Sequence, residues 1–164
     1  MILNDKEIKE LIANQGFVKD YIDLPSQITP NGFDLTVEKI FTFLGGGQIG
    51  FTNQDRILPL TKELEWNNNT IHLSSGCYKV RTNETLKMPL NLVAIAMPRS
   101  SLLRCGVAIN TGVWDAGFEG KSEFLLTVQN KDGFILKRNA RVVQLTFIRT
   151  NEVGSGYNGI YNSR

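Results

Sequence analysis

The chain opens with helical spacing and then turns to strand-like alternation for most of its length. Over residues 3–16, Ile8, Leu11 and Ile12 fall on one face at the three-to-four-residue interval. Asn4 precedes that run with Glu7 three positions on, a capping-box pattern, and Gly16 follows it as a terminator. A single helix is predicted there, docked on a sheet. Pro25 and Pro30 break helical continuation. Residues 31–44, NGFDLTVEKIFTFL, are rich in β-branched and aromatic residues with near alternation, and predict a strand. Residues 45–54 predict a flexible loop. GGGQIG is no phosphate loop, because the Gly-Lys-Ser/Thr ending and a following helix are missing.

Short strands are predicted at 57–60 and 70–73, the second holding His72 as a half-buried residue. Residues 76–97 predict two strands around a turn at Thr82 to Glu84, the second with a continuous apolar, buried run from Leu92 to Met97. Further strands are predicted at 121–130 and 134–149, split by the turn 130–133. Many strands between Gly, Asn and Pro turns, with one helix, indicate a mainly β domain. At 164 residues the chain is long enough for one domain with a sizeable core. It spans 1–164, with the helix in 1–20 and a flexible glycine-rich tail over 151–164.

Composition narrows the class by exclusion. A net charge of +2, without a long basic block, argues against a nucleic-acid partner. No apolar run approaches a membrane span and no leader pattern opens the chain, so the cytoplasm is the expected compartment. Cys77 and Cys105 form no CxxC pair and are expected as reduced thiols. One histidine within the chain leaves no multi-histidine metal site.

The chemistry concentrates in residues 98–130. Arg99, Ser100, Ser101 and Arg104 gather two guanidinium forks and two hydroxyls within six residues, a cradle for an anion. Asp115 follows, with Gly117, Phe118 and Gly120 beyond it. The glycines permit a tight turn and close approach to a ligand. Phosphate cradle, single acid and aromatic ring together point to a nucleotide site.

PRSSLLR and GVWDAGFEG resemble the second and third motifs of the dUTP pyrophosphatase and dCTP deaminase superfamily. Gly32-Phe33-Asp34-Leu35 resembles its first motif, with Thr36 where an Arg is usual. Arg141 to Leu145 resembles the fourth, and Tyr157-Asn158-Gly159 with Tyr161 the end of the deaminase branch. In that tail Ile160 stands where the pattern has Lys and Asn162 where it has Gln. The resemblance implies a distorted β-barrel of jelly-roll character that forms a homotrimer. It implies a deoxynucleoside triphosphate substrate, with Mg2+ held mainly on the phosphates. Asp115 would activate the attacking water. Ser100 and Ser101 would hold phosphates, and Arg99 and Arg104 would bind them or brace the loop. Phe118 would pack under the deoxyribose. Uracil would be read by backbone groups from Asn110 to Trp114 and by the Asn110 side chain. Gln144 would bond substrate or a phosphate-bound water. The tail, with Tyr157 and Arg164, would close over nucleotide, on its own or a neighbouring subunit. Asp34 would either satisfy backbone groups at a strand start, the favoured reading, or approach the metal through water.

Two reactions are open. Zinc deaminases need H-x-E and PCxxC, and neither is present. The family's zinc-free deaminases carry a Glu ten residues beyond the motif-three Asp, and Leu125 stands there. Glu123 lies two residues earlier on the same strand face, about 7 Å away. Hydrolysis of dUTP to dUMP and pyrophosphate is therefore expected. Deamination of dCTP with Glu123 as acid/base, alone or alongside that hydrolysis, is the alternative. A non-catalytic jelly-roll binding module is a third reading, and leaves the Arg-Ser-Ser cluster unexplained.

Overall fold

A computed structural model describes residues 1–162. The chain runs α1 (Asp5–Gln15), β1 (Val18–Lys19), α2 (Leu24–Gln27), β2 (Ile28–Thr29) and β3 (Gly32–Leu44). A 3-10 turn at Asn53–Asp55 leads to β4 (Leu60–Glu63), β5 (Thr70–Leu73), β6 (Gly76–Lys87) and β7 (Leu92–Pro98). Then come α3 (Ser100–Arg104), β8 (Val107–Asn110), β9 (Glu119–Val128), β10 (Phe134–Lys137) and β11 (Arg141–Arg149). The main sheet runs β7-β11-β3-β6-β9-β8, with β1 on β6 and β2 and β4 on β3. Its two outer ends meet where Ala94 of β7 bridges Trp114, just past β8. The result is a mainly β, nearly closed, distorted barrel of jelly-roll character. A separate pair joins β5 to β10.

α1 forms as its spacing requires. Asn4 accepts from the backbone N–H of Lys6 and Glu7, and the Glu7 carboxylate accepts from Asn4 N–H, closing the capping box. Gly16 ends it at φ +59. Ile8 and Ile12 are buried, and Phe17 meets Phe147 edge-on at 5.0 Å between ring centres. Full burial of one such ring contributes about 1.5–3 kcal/mol.

Several expectations need correcting. Residues 82–84 do not turn the chain. β6 runs through them with a bulge, where its pairing with β9 shifts between Arg81 and Thr85. Pro25 does not exclude a helix, because it sits in the first turn of α2, where its missing N–H has no helical partner to lose. The predicted 57–60 strand begins at Leu60, with Ile57 bridging Gln48. Residues 134–149 form two strands in different sheets, parted at Asn139 with φ +60. β7 is buried on one face only, since Ile95 is 45% and Met97 67% exposed. His72 is exposed on β5, because its neighbours Ile71 and Leu73 take the inward positions.

The bulge in β6 turns Glu84 fully inward. Its carboxylate accepts from Thr36 N–H at 3.0 Å, the Thr36 hydroxyl at 2.5 Å and Gln27 Nε2 at 2.7 Å. Gln27 cannot turn round, since its Oε1 accepts from Ile22 and Asp23 N–H. The Thr36 hydroxyl is directed too, because it accepts from Asn83 Nδ2. Burial pushes the Glu84 carboxyl above the usual glutamate range, and the Thr36 and Gln27 bonds oppose that shift. Glu84→Gln sets an amide NH2 against a donor. It is expected to lower unfolding free energy by about 1–3 kcal/mol in urea titrations, and unchanged stability would mean the network does not hold α2 in place.

Candidate active site

β9 supplies the floor of the site. Its burial alternates residue by residue, so Gly120, Ser122, Phe124, Leu126 and Val128 face the core. Lys121, Glu123 and Leu125 therefore share the opposite face, as the two-residue period requires. In the ladder Leu125 pairs with Lys79 of β6 on one side and Asn110 of β8 on the other. A pocket of about 520 Å³ opens over this face. Phe43, Lys79, Arg81, Lys121, Glu123 and Leu125 line its floor, with Gly112 to Trp114, Phe118, Tyr157 and Tyr161 around it.

The segment after β8 forms one wall, and Trp114 anchors it. The indole is buried and Nε1 donates to Ser122 Oγ at 2.8 Å. Trp114 N–H and C=O are both used in the Ala94 bridge, at 3.0 and 2.9 Å. The N–H is thus spent on the bridge, while the C=O keeps a second lone pair and Trp114 itself lines the pocket. Among the described residues, the backbone of Thr111, Gly112 and Val113 makes no backbone hydrogen bond and stays free to read a base. Asn110 ends β8 with an exposed side chain.

Asp115 to Phe118 form a tight turn, closed by Phe118 N–H donating to Asp115 C=O at 3.1 Å. Gly117 takes φ +81 at its third position, which suits glycine. Asp115 is exposed, and among the described residues its carboxylate has no hydrogen-bond or ion-pair partner. Phe118 is 9% exposed and meets Tyr157 edge-on at 5.7 Å. The tail lies along this turn on its own chain. Tyr157 N–H donates to Ala116 C=O at 2.8 Å, and Asn162 Oδ1 accepts from Glu119 N–H at 2.6 Å. Arg56 stacks over the Tyr161 ring at 5.9 Å, joining the 45–59 excursion to the tail. Arg164 lies outside the described residues.

A second group sits apart from the pocket lining. The cradle is a short helix rather than a loop, with Ser100 and Ser101 exposed in α3. Arg104 Nη1 donates to Ser100 C=O at 3.0 Å and braces its own turn. Arg99 Nε lies 3.0 Å from Asp34 Oδ2, and Arg141 Nη1 lies 3.5 Å from the same atom. Neither Asp34 oxygen receives a well-aligned hydrogen bond, although the side chain is 2% exposed. Burial raises the Asp34 carboxyl above its usual range, and Arg99 and Arg141 pull it back. Gln144 faces Asp34 across the ladder and donates to Thr29 Oγ1 at 2.9 Å. Arg99, Ser100, Ser101, Arg104 and Gln144 thus gather around Asp34 and α3, away from the pocket that holds Phe118 and Tyr157.

As a direct magnesium ligand Asp34 does not fit, being enclosed by two guanidinium groups. Among the described residues no cluster of three His, Cys, Asp or Glu side chains forms a metal cage. Magnesium retains waters and binds through phosphates, so an ion carried on substrate fits this donor set better.

Sequence reasoning missed Lys79, Phe43 and the ion pairs beside them. Lys79 Nζ lies 3.1 Å from Glu123 Oε2 and 4.6 Å from the Phe41 ring centre. Arg81 and Lys121 both pair with Glu38, at 2.9 Å each. The alternation Lys79-Val80-Arg81 hinted at an outward face, but only the strand register brings it to Glu123.

The dCTP deaminase-like family model matches residues 2–150. A probable deoxyuridine 5'-triphosphate nucleotidohydrolase of Archaeoglobus fulgidus is 43% identical over 160 residues, 98% of this chain and 95% of the relative. One from Methanosarcina mazei is 47% identical over 165 residues, 99% of this chain and 96% of the relative. Among solved structures, 2'-deoxycytidine 5'-triphosphate deaminase from Agrobacterium tumefaciens superposes with a TM-score of 0.71 at 23% identity. That match covers 92% of this chain and 49% of the other, and is a likeness of fold.

The turn and tail are coupled by packing. A Cβ on Gly117 would lie 2.6 Å from Gly156 Cα. Gly117→Ala is expected to lower stability by about 1–2 kcal/mol through its left-handed φ, and to speed proteolytic clipping of the tail. Clipping at the unaltered rate would mean that the tail is not held by this contact.

Proposed function

This chain belongs to the dCTP deaminase-like family, and from that premise we propose that it hydrolyses dUTP to dUMP and pyrophosphate. The observation that carries the choice of reaction is Leu125. It stands on the pocket floor where a zinc-free deaminase needs an acid to move protons between water and ammonia. Glu123 shares the face, but Lys79 engages its carboxylate. The naming of the Archaeoglobus and Methanosarcina relatives supports the same reading.

The base lies over Leu125 and is read by the Asn110 side chain and the free backbone of residues 111–113. Phe118 packs under the deoxyribose and leaves no space for a 2′-hydroxyl. Asp115, exposed and unpartnered among the described residues, accepts a proton from water as its oxygen attacks the α-phosphorus. The bond from that phosphorus to the bridging oxygen breaks, and pyrophosphate departs with the electron pair. Carried on the substrate's phosphates rather than by a side-chain cage, Mg2+ would supply charge neutralisation for the leaving group. Ser100 and Ser101 donate to phosphate oxygens, joined by Arg104 and Gln144. Arg99 braces this group through Asp34.

The phosphate-binding group and the base pocket are separate on one chain. Their separation supports a homotrimer in which α3 of one copy faces the pocket of the next. The enzyme would act on free nucleotide in the cytoplasm, with neither nucleic acid nor membrane as partner.

With magnesium present, pyrophosphate is expected from dUTP, little from UTP, and no ammonia from dCTP. Ammonia release would favour the deaminase reading instead. Asp115→Asn is expected to lower kcat by roughly 10²–10⁴-fold while nucleotide binding persists. A fully active variant would remove Asp115 as the base. Mixing Asp115→Asn subunits with Ser101→Ala subunits is expected to restore part of the activity, because some composite sites regain both groups. No recovery after subunit exchange would place both groups in one subunit's site.

A further inference from the structure

The floor of the pocket carries a polar pair that hydrolysis at phosphorus does not use. Leu125 is flanked in the ladder by Asn110 on one side and Lys79 on the other. Of these two neighbours Lys79 lines the pocket, so a flat base lying over Leu125 meets an ammonium on the β6 side. Two other cations near this floor are committed, Arg81 and Lys121 both to Glu38. Lys79 is held by Glu123 at 3.1 Å and by the Phe41 ring, and both it and Glu123 line the pocket.

We propose that Lys79, positioned by Glu123, is a specificity-determining residue that donates to the 4-keto oxygen of uracil. This inference rests on the dUTP-hydrolysing reading of the same pocket. An ammonium has three donors and no acceptor. It bonds a 4-keto oxygen and meets the 4-amino group of cytosine donor to donor. Asn110, across Leu125 from Lys79, carries both a donor and an acceptor, so it favours neither base. Backbone groups read the shared 2-keto oxygen equally in both bases. Discrimination between the two bases thus falls to the Lys79 edge. A site built around a donor rejects a base that cannot accept from it, and cytosine would set its amino group against an ammonium already paired with Glu123. Glu123 and the Phe41 ring, over which the ammonium itself lies at 4.6 Å, keep that ammonium from swinging into solvent.

The test compares wild type with Lys79→Met, which keeps the stem and removes the donors, and Lys79→Arg, which restores donors. Two readouts apply: kcat/KM for dUTP, and the affinity ratio for α,β-imido analogues of dUTP and dCTP by calorimetry. Lys79→Met is expected to lower kcat/KM for dUTP roughly 10- to 100-fold. It is also expected to shrink the dUTP-over-dCTP affinity ratio by a similar factor, with partial recovery in Lys79→Arg. A purely structural role would weaken both analogues alike and leave the ratio unchanged, which overturns the proposal. Glu123→Gln is expected to reduce the ratio less than Lys79→Met, and an equal or greater loss would make Glu123 the reader. If wild type prefers the uracil analogue but releases no pyrophosphate, the hydrolytic reading fails while the binding ratio still judges Lys79.

Discussion

The register of β9 between β6 and β8 is the constraint on which the site depends. Side chains on a strand alternate faces with a strict period of two, so one slip would exchange the whole set. Ser122, Phe124 and Leu126 would move onto the pocket floor, and Glu123 and Leu125 into the core. Burying an unpaired carboxylate there would cost several kcal/mol. The apolar face thus fixes the register, and the register in turn fixes which groups meet a base. The same logic reaches Trp114, whose indole bond to Ser122 needs Ser122 to face inward. Packing and recognition are therefore two readings of one alternation.

Around that fixed strand the remaining parts differ in how firmly they are held. Asp34 and Glu84 are buried acids both tied to α2: Gln27 Nε2 donates to Asp34 C=O and to the Glu84 carboxylate, and Arg141 donates to Ser26 C=O. Buried polar networks of this kind are costly if incomplete and rigid when satisfied. The Glu84 end is fully bonded, whereas the Asp34 carboxylate has ion pairs without aligned hydrogen bonds. The tail is held more lightly, by Tyr157 and Asn162 bonds, the Phe118 contact and the Gly117–Gly156 approach. Such a segment can open at small free-energy cost while the barrel stays closed, which suits a part that must admit a nucleotide.

Local chemistry was legible from sequence wherever the signal was local. The α1 cap needs only Asn4, Glu7 and Gly16, and all three act as their spacing indicates. The sharing of one face by Glu123 and Leu125 follows from strand parity alone and holds. What escaped was set by distant pairing. Residues 82–84 look like a turn because Asn and Glu disfavour strands, yet Thr36 and Gln27 supply the partners that keep Glu84 inside. Thr36, conspicuous as a departure from the family pattern, proved to be one of those partners. The short α3 was hidden because five residues give too little periodicity. No sequence feature marks the bridge from Trp114 to Ala94, which spends the Trp114 N–H on the fold. Lys79 was invisible because its partner lies 44 positions away, a span only the β6–β9 pairing closes.

The difference between two chemistries on this scaffold comes down to one side chain in a fixed frame. A carboxylate at position 125 would sit between an ammonium and an amide, where its charge would be paired and its burial offset. Leucine there instead leaves the Lys79 ammonium to Glu123, two residues along the same face. Removing one proton-transfer group costs roughly 10²–10⁴ in rate, about 2.7–5.5 kcal/mol of barrier. That amount would quench attack on a base carbon without touching the barrel, because Leu125 is only half-buried and lies on the face of β9 opposite the core. On the proposed reading, attack at phosphorus would draw on Asp115 and the α3 hydroxyls, which stand outside β9. On that reading a change at position 125 would redirect chemistry while α3 and the core face of β9 stayed as they are.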